Sequence, residues 1–191
     1  MKKKFPAWLV LTVICVIASA LLATTNLMTK DVIAENTKQG KLATLAKLLP
    51  DAHSFETLQN PEDSTSGVSI GKDEDGQIMG YVYSAVAKGY GGEVETTVAI
   101  LPDGTIQGIS VGGANFSETA GLGARAKEPE FQAQFTGKKT PVELTKNGGE
   151  IDALSGATIT SRAVIKGVND AVQTILEAIG EQTEDSSGIT E

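Results

Sequence analysis

The chain has one cysteine, Cys15, and one histidine, His53. No disulfide can close within it. A zinc site built from Cys and His needs more ligands than are present. A four-cysteine iron–sulfur cluster or a CxxCH haem attachment is excluded for the same reason. A Ser-His-Asp or Cys-His catalytic system would have to use His53. That residue lies in a polar stretch with no second ligand or nucleophile beside it, and it reads as a lone surface histidine. Aromatics are only 5% of residues, so a core must be built from Val, Ile, Leu and Ala. Basic residues are also short, 16 Lys and Arg against 24 Asp and Glu in 191 residues. Three of the 16 are Lys2, Lys3 and Lys4, which leaves thirteen against 24 from Lys30 onward. An acidic domain of that balance repels nucleic acid, so DNA and RNA are excluded as partners.

Charge is absent altogether from Phe5 to Thr29. Ala7 to Leu27 is rich in Leu, Val, Ile and Ala. As a helix at 1.5 Å per residue it spans roughly 31 Å, the thickness of a bilayer core. A single transmembrane helix is expected over 7–28, with the lipid bilayer as its partner. Lys2–Lys4 put residues 1–6 in the cytoplasm by the positive-inside rule, and the rest of the chain outside an inner or plasma membrane. A cleaved signal peptide is the competing reading, because Ala18-Ser19-Ala20 has the small-x-small form of a cleavage site. The apolar run continues through Leu21, Leu22 and Ala23 to Leu27, which favours a retained anchor. Ile14 before Cys15 argues against a lipoprotein. Cys15 is then a small apolar residue within the span.

What the chain has in excess is glycine, 21 residues. Leu42, Leu45, Leu48 and Leu49 share a helical face in a juxtamembrane helix and linker over 29–60, and Pro50-Asp51 ends the helical run. Asn60 to Gly67 is polar and reads as a loop. Asp75-Gly76 and Asp103-Gly104 each lie between β-rich runs, the signature of a hairpin. In the second hairpin Val94, Thr96, Val98 and Ile100 alternate with Glu95, Thr97, Ala99 and Leu101, the pattern of a half-buried antiparallel sheet of four or more strands. Residues 112–127 form a Gly-rich loop. Pro129 to Phe135 is a short helix, with Phe131 and Phe135 one turn apart. Thr160 to Ile179 is a longer one, with Val164, Val168, Ala171, Val172, Ile175 and Ile179 on one face. Residues 181–191 read as a disordered acidic tail.

Asp152-Ala153-Leu154-Ser155-Gly156-Ala157-Thr158 stands directly before that longer helix. Small residues and hydroxyls at a helix N-terminus suit an anion, because free backbone N–H groups and the helix dipole both favour phosphate there. They equally suit capping, for which Thr160 or Ser161 would serve. The stretch resembles the Asp-x-x-Ser/Thr-Gly-Ala-Thr motif of the covalently flavinylated FMN-binding domain family. Ser117 to Gly123 resembles that family's Glu-Thr-Pro-Gly-Leu-Gly loop at Glu118, Thr119, Gly121, Leu122 and Gly123. Gly89-Tyr90-Gly91-Gly92 looks like its Gly-Tyr-Gly-Gly turn. Ala120 replaces the usual Pro, and Phe116 a frequent His.

The resemblance implies an α+β fold, with a mostly antiparallel sheet packed against helices in an FMN-binding domain over 61–180. It implies FMN bound covalently by a phosphoester to Thr158, attached by a flavin transferase with FAD as donor. It places Asp152, Ser155, Gly156, Ala157, Glu118, Thr119, Gly121, Leu122, Gly123 and Tyr90 at the cofactor site, with no catalytic and no metal-binding residue. A basic N-terminus, one membrane helix and one outer flavin domain in a short chain resemble the G subunits of Rnf ion-translocating electron-transport complexes. The related C subunits of sodium-pumping NADH:quinone reductases are typically longer. The Rnf resemblance implies other membrane subunits as partners, and electron transfer between ferredoxin and NAD coupled to Na⁺ or H⁺ movement. A stand-alone flavoprotein carrier, or a non-redox module binding a phosphorylated ligand, remains open.

The topology is testable directly. A reporter fused after Glu191 is expected to be active only if it requires export. Activity of a cytoplasm-requiring reporter at that position would reverse the assignment.

Overall fold

The structure is a computed structural model that describes residues 6–60 and 63–187. Lys2–Lys4, Pro61, Glu62 and the last four residues of the acidic tail lie outside the described residues. The chain divides into two units, residues 1–43 and 44–191.

The first unit is helical. Helix α1, Ala7–Leu48, runs without a break through the apolar stretch and the polar one after it, ending in the second unit. Trp8–Lys30 is long and apolar enough to cross a bilayer. Thr12, Thr24, Thr25 and Thr29 each donate their hydroxyl to the carbonyl four residues back, at 2.8–2.9 Å. Such back-bonding satisfies a hydroxyl where lipid offers no acceptor.

The second unit is an α+β domain. Five antiparallel strands lie side by side in chain order: β1 (Ser54–Asn60), β2 (Asp63–Lys72), β3 (Ile78–Lys88), β4 (Glu93–Ile100) and β5 (Ile106–Gly112). The two Asp-Gly turns form as expected, with Gly76 at φ 79° and Gly104 at φ 80°. Asp103 accepts the N–H and the hydroxyl of Thr105, and these bonds hold its carboxyl below the usual range. One correction concerns Asn60–Gly67, expected as a loop. Residues 63–67 belong to β2, with Asp63 paired to Asn60 of the edge strand β1. Backbone pairing needs no apolar side chain, so the polar composition concealed two strand ends.

The alternation in β4 divides two cores. Val94, Val98 and Ile100 face helix α3, Thr158–Ser187, whose Val164, Val168, Ala171, Val172 and Ile175 are buried against them. Gly167 lets the helix approach closely, since a Cβ there would come within 2.9 Å of Thr96 Oγ1. Val82 and Ala99 face the other way and meet Leu48 and Leu49 at the end of α1. Gly71 and Gly80 on the sheet leave room for Leu49. The short helix α2 is Pro129–Gln132, continued by a 3₁₀ turn at Ala133–Phe135. Phe131 and Phe135 pack edge to face at 5.7 Å.

The acidic tail is the second correction. α3 continues to Ser187, so residues 181–187 are helical. Extending a helix already nucleated and packed fixes only one further residue per hydrogen bond, so a polar sequence can continue it.

Leu49 is 4% exposed and fills the hollow over Gly71 and Gly80. Leu49→Ala is expected to destabilise the domain by about 2–5 kcal/mol through the cavity it leaves. Thermal unfolding of the detergent-solubilised chain, followed by circular dichroism, measures this.

Candidate functional site

The site grows from the start of α3. The helix begins at Thr158, two residues before the expected start. A turn precedes it, closed by the Ala157 N–H on the Leu154 carbonyl at 3.0 Å, with Gly156 in the left-handed region at φ 73°. A residue with a side chain adopts that conformation at a cost, which explains glycine there. The two hydroxyls expected to cap the helix do something else. Ser161 Oγ accepts the N–H of Leu154 at 2.9 Å and donates to the Ala157 carbonyl at 3.0 Å, bracing the turn from inside the helix. Thr160 points inward, 1% exposed, and donates its hydroxyl to Glu118 Oε2 at 2.8 Å.

Glu118 is the junction of the site. Its Oε1 accepts the backbone N–H groups of Tyr90 at 2.8 Å and Gly91 at 3.2 Å. One carboxylate therefore joins the 89–92 turn, the loop after β5 and the first turn of α3. The glycines follow from the closeness of these three segments. A Cβ on Gly89 would stand 2.2 Å from Glu118 Oε1, and one on Gly123 would stand 2.4 Å from Oε2. On Gly91 it would meet the Ser117 carbonyl at 2.0 Å, and on Gly92 the Asn115 carbonyl at 2.6 Å. Asn115 adds a second tie, donating its side-chain amide to Glu93 Oε2 at 2.8 Å.

Thr119 to Leu122 is a β-turn. The Leu122 N–H reaches the Thr119 carbonyl at 3.1 Å, and Gly121 sits third in the turn at φ 75°. A positive φ at that position is the mark of a type II turn, whose second position favours proline. Ala120 occupies it, and the turn closes without Pro. Phe116 is half-buried with the Lys127 ammonium 4.1 Å from its ring centre.

Thr158 is different from its neighbours. It is half-buried, and no hydrogen bond engages its side chain among the described residues. No acidic residue stands in the first turn to oppose an anion. The next residue, Ile159, is 51% exposed, and Leu122, 43% exposed, lies over Gly156. Tyr90 is 73% exposed on the 89–92 turn.

The expected site residues do not all converge. Tyr90, Glu118, Gly123 and Thr160 meet directly, and Leu122, Gly156 and Thr158 adjoin them. Asp152 and Ser155 line a separate hollow of about 350 Å³ with Arg125, Glu128, Phe131 and Gln134. The Asp152 N–H donates to Gln134 Oε1 at 2.7 Å. A larger hollow of about 600 Å³ is formed by residues between Thr136 and Ile151 and includes none of the expected site residues. His53 pairs with Glu74 at 2.9 Å on the surface. Thr160 and Ser161 look like caps in the sequence, and the structure corrects that reading. Their hydroxyl chemistry was visible, but their partners lie 42 and 7 residues away.

Residues 89–173 match the FMN-binding domain family, and residues 9–48 match the RnfG N-terminal region. The G subunit of the proton-translocating ferredoxin:NAD(+) oxidoreductase complex of Clostridium ljungdahlii is 36% identical, over 89% of this chain and 90% of that protein. The G subunit of the Na(+)-translocating ferredoxin:NAD(+) oxidoreductase complex of Acetobacterium woodii is 38% identical, over 90% and 91%. This chain belongs to the G-subunit family of these complexes. A solved structure of the C subunit of the Na(+)-translocating NADH-quinone reductase from Parabacteroides distasonis aligns with 59% of this chain and 62% of that one, with a TM-score of 0.49 and 25% identity.

The residues of this G-family chain fit FMN. The first turn of α3 supplies free N–H groups for a phosphate. Leu122, Ile159 and Tyr90 are exposed and could offer apolar surface to a flat ring. The glycine-rich junction leaves little room for side chains. Gly91→Ala is expected to destabilise the domain by about 1–3 kcal/mol, because its Cβ must displace the Ser117 backbone. Gly121→Ala meets no atom within 4 Å and carries only the cost of its positive φ. Melting temperatures of the two variants should fall in that order.

Proposed function

We propose that the chain is a membrane-anchored electron carrier holding FMN through a phosphoester to Thr158, in an Rnf-type complex that moves electrons between ferredoxin and NAD coupled to ion transport. The observation that carries this reading is Thr158 itself. It is the last residue of the Asp152–Thr158 motif and the first of α3, and its hydroxyl has no other engagement among the described residues. Membership of a family whose relatives are named as ferredoxin:NAD(+) oxidoreductase subunits supports the electron-transfer role.

FMN accepts or releases one or two electrons, so it can connect carriers of either kind. The chain's own residues do the holding. The N–H groups opening α3 and the positive end of the helix dipole favour the phosphate. A phosphoester fixes that end without altering the ring. Gly156 and Ala157 allow close backbone approach. Leu122, Ile159 and Tyr90 present apolar surface to the ring, while Glu118, Thr119, Gly121 and Gly123 shape the loop beside it. Asp152 and Ser155, exposed beside their own hollow, are the parts of the motif that a flavin transferase reads.

The span over 7–28 holds the FMN domain, 61–180, on the outer face of the inner or plasma membrane, with residues 29–60 between them. There it meets the other membrane subunits of the complex, so electron transfer does not wait for diffusion. Ferredoxin and NAD are met by other subunits.

Peptide mass spectrometry of the chain produced with its flavin transferase tests the attachment. Wild type is expected to carry FMN on Thr158 and Thr158→Ala none. The substitution should change stability by no more than about 1 kcal/mol. FMN retained on the Ala variant, or mapped to Ser155 or Thr160, would remove the assignment.

A further inference from the structure

We infer that Glu118 and Thr160 form a positioning clamp that presents the Thr158 hydroxyl for flavin transfer. The inference rests on the proposed attachment at Thr158. It assigns Glu118 a role other than contact with the flavin.

Three observations lead there. Both carboxylate oxygens of Glu118 are already engaged within the chain, Oε1 by the N–H groups of Tyr90 and Gly91 and Oε2 by the Thr160 hydroxyl. Those partners are 28, 27 and 42 residues away, so the carboxylate holds three segments that no local structure holds together. Gly89 and Gly123 lack the side chain that would strike that carboxylate, so its place is built into the backbone.

The geometry of a helix turns this tie into a statement about Thr158. Successive residues rotate by about 100° around the axis, so residues two apart face nearly opposite ways. Thr160 is buried and held inward by Glu118, and Thr158, two residues before it, is half-buried with its hydroxyl unengaged among the described residues. The first turn of a helix is where the backbone has the fewest hydrogen bonds of its own and frays most easily. Without the clamp, that turn can rotate or unwind, and the acceptor hydroxyl loses its fixed direction. Ser161 braces the same turn through Leu154 and Ala157.

Direction matters because the transfer is a displacement at phosphorus. The Thr158 oxygen forms a bond to the FMN phosphorus of FAD, and the pyrophosphate bond on the other side breaks. AMP leaves with the bonding electrons, and the threonine proton passes to a base of the transferase. Attack in line with the leaving group requires the hydroxyl to be aimed, and a poorly aimed acceptor reacts slowly even when bound normally.

The test follows flavin transfer to the purified full-length chain in detergent, made without transferase and then given transferase and FAD. Intact mass and in-gel flavin fluorescence are read against time, with melting temperature measured separately. Thr160→Val keeps the shape of the buried side chain and removes only the hydroxyl. Glu118→Ala removes the other partner. Both are expected to slow transfer about tenfold or more through kcat, with KM for the acceptor chain changed little. The double variant should be no slower than the slower single one, because the two residues act as one unit. Thr160→Ser and Glu118→Gln should restore most of the rate. Glutamine can still accept from Tyr90 and Gly91 through its oxygen and donate to the Thr160 oxygen through its amide.

Wild-type rates in Thr160→Val and Glu118→Ala would overturn the clamp. So would an equal loss of rate in Leu49→Ala assayed below its melting temperature, since the rate would then follow stability alone. If wild type takes FMN on a residue other than Thr158, or takes none, the attachment reading fails, and the clamp falls with it. Normal loading of wild type at Thr158 with unaffected variants leaves the attachment standing and removes only the clamp.

Discussion

Three pieces of chain far apart in sequence meet at the carboxylate of Glu118. The turn between β3 and β4 gives it two backbone N–H groups, and the start of α3 gives it a hydroxyl. Hydrogen bonds to a charged acceptor are stronger than neutral ones. The surrounding architecture leaves space for this one group. Gly89 and Gly123 stand where any Cβ would strike it, and Gly91 and Gly92 stand where the loop backbone crosses the turn. Four of the chain's glycines thus serve that crossing.

The hydroxyls around the start of α3 divide their work by burial. Ser161 and Thr160 are buried and fully engaged with the turn and with Glu118. Ser155 is exposed before the helix. Thr158 is partly exposed, with its hydroxyl uncommitted among the described residues. A helix that spends its inner hydroxyls on structure can leave an outer one free for chemistry, and its dipole favours phosphate at that same end.

The sheet supplies a rigid support for this arrangement. β4 is buried on both faces over Val98 to Ile100, with α3 on one side and the end of α1 on the other. Gly167 and Gly80 allow the close approach on each side. The site therefore lies on loops, but each loop is anchored in a strand or helix with a complete core.

Sequence by itself determined everything that depends on near neighbours. The uncharged run marked the candidate span, because length and apolarity are local properties. The Asp-Gly pairs placed two turns, because only local backbone strain selects them. The alternation in β4 and the periodic face of α3 identified buried residues before any partner was known. The motif ending at Thr158 put small residues and hydroxyls directly before a helix, and family membership supports FMN as the ligand. Tertiary structure decided the rest. The polar residues 63–67 extend strand β2, and their composition carries no sign of it. Thr160 and Ser161 look like caps in sequence, but Thr160 turns inward because a carboxylate 42 residues earlier in the chain accepts its hydroxyl. Asp152 and Ser155 belong to one motif with Thr158, yet they line a hollow that does not include it, because the turn at Gly156 lies between them. A motif records which residues are adjacent along the chain; only packing determines which of them share a space.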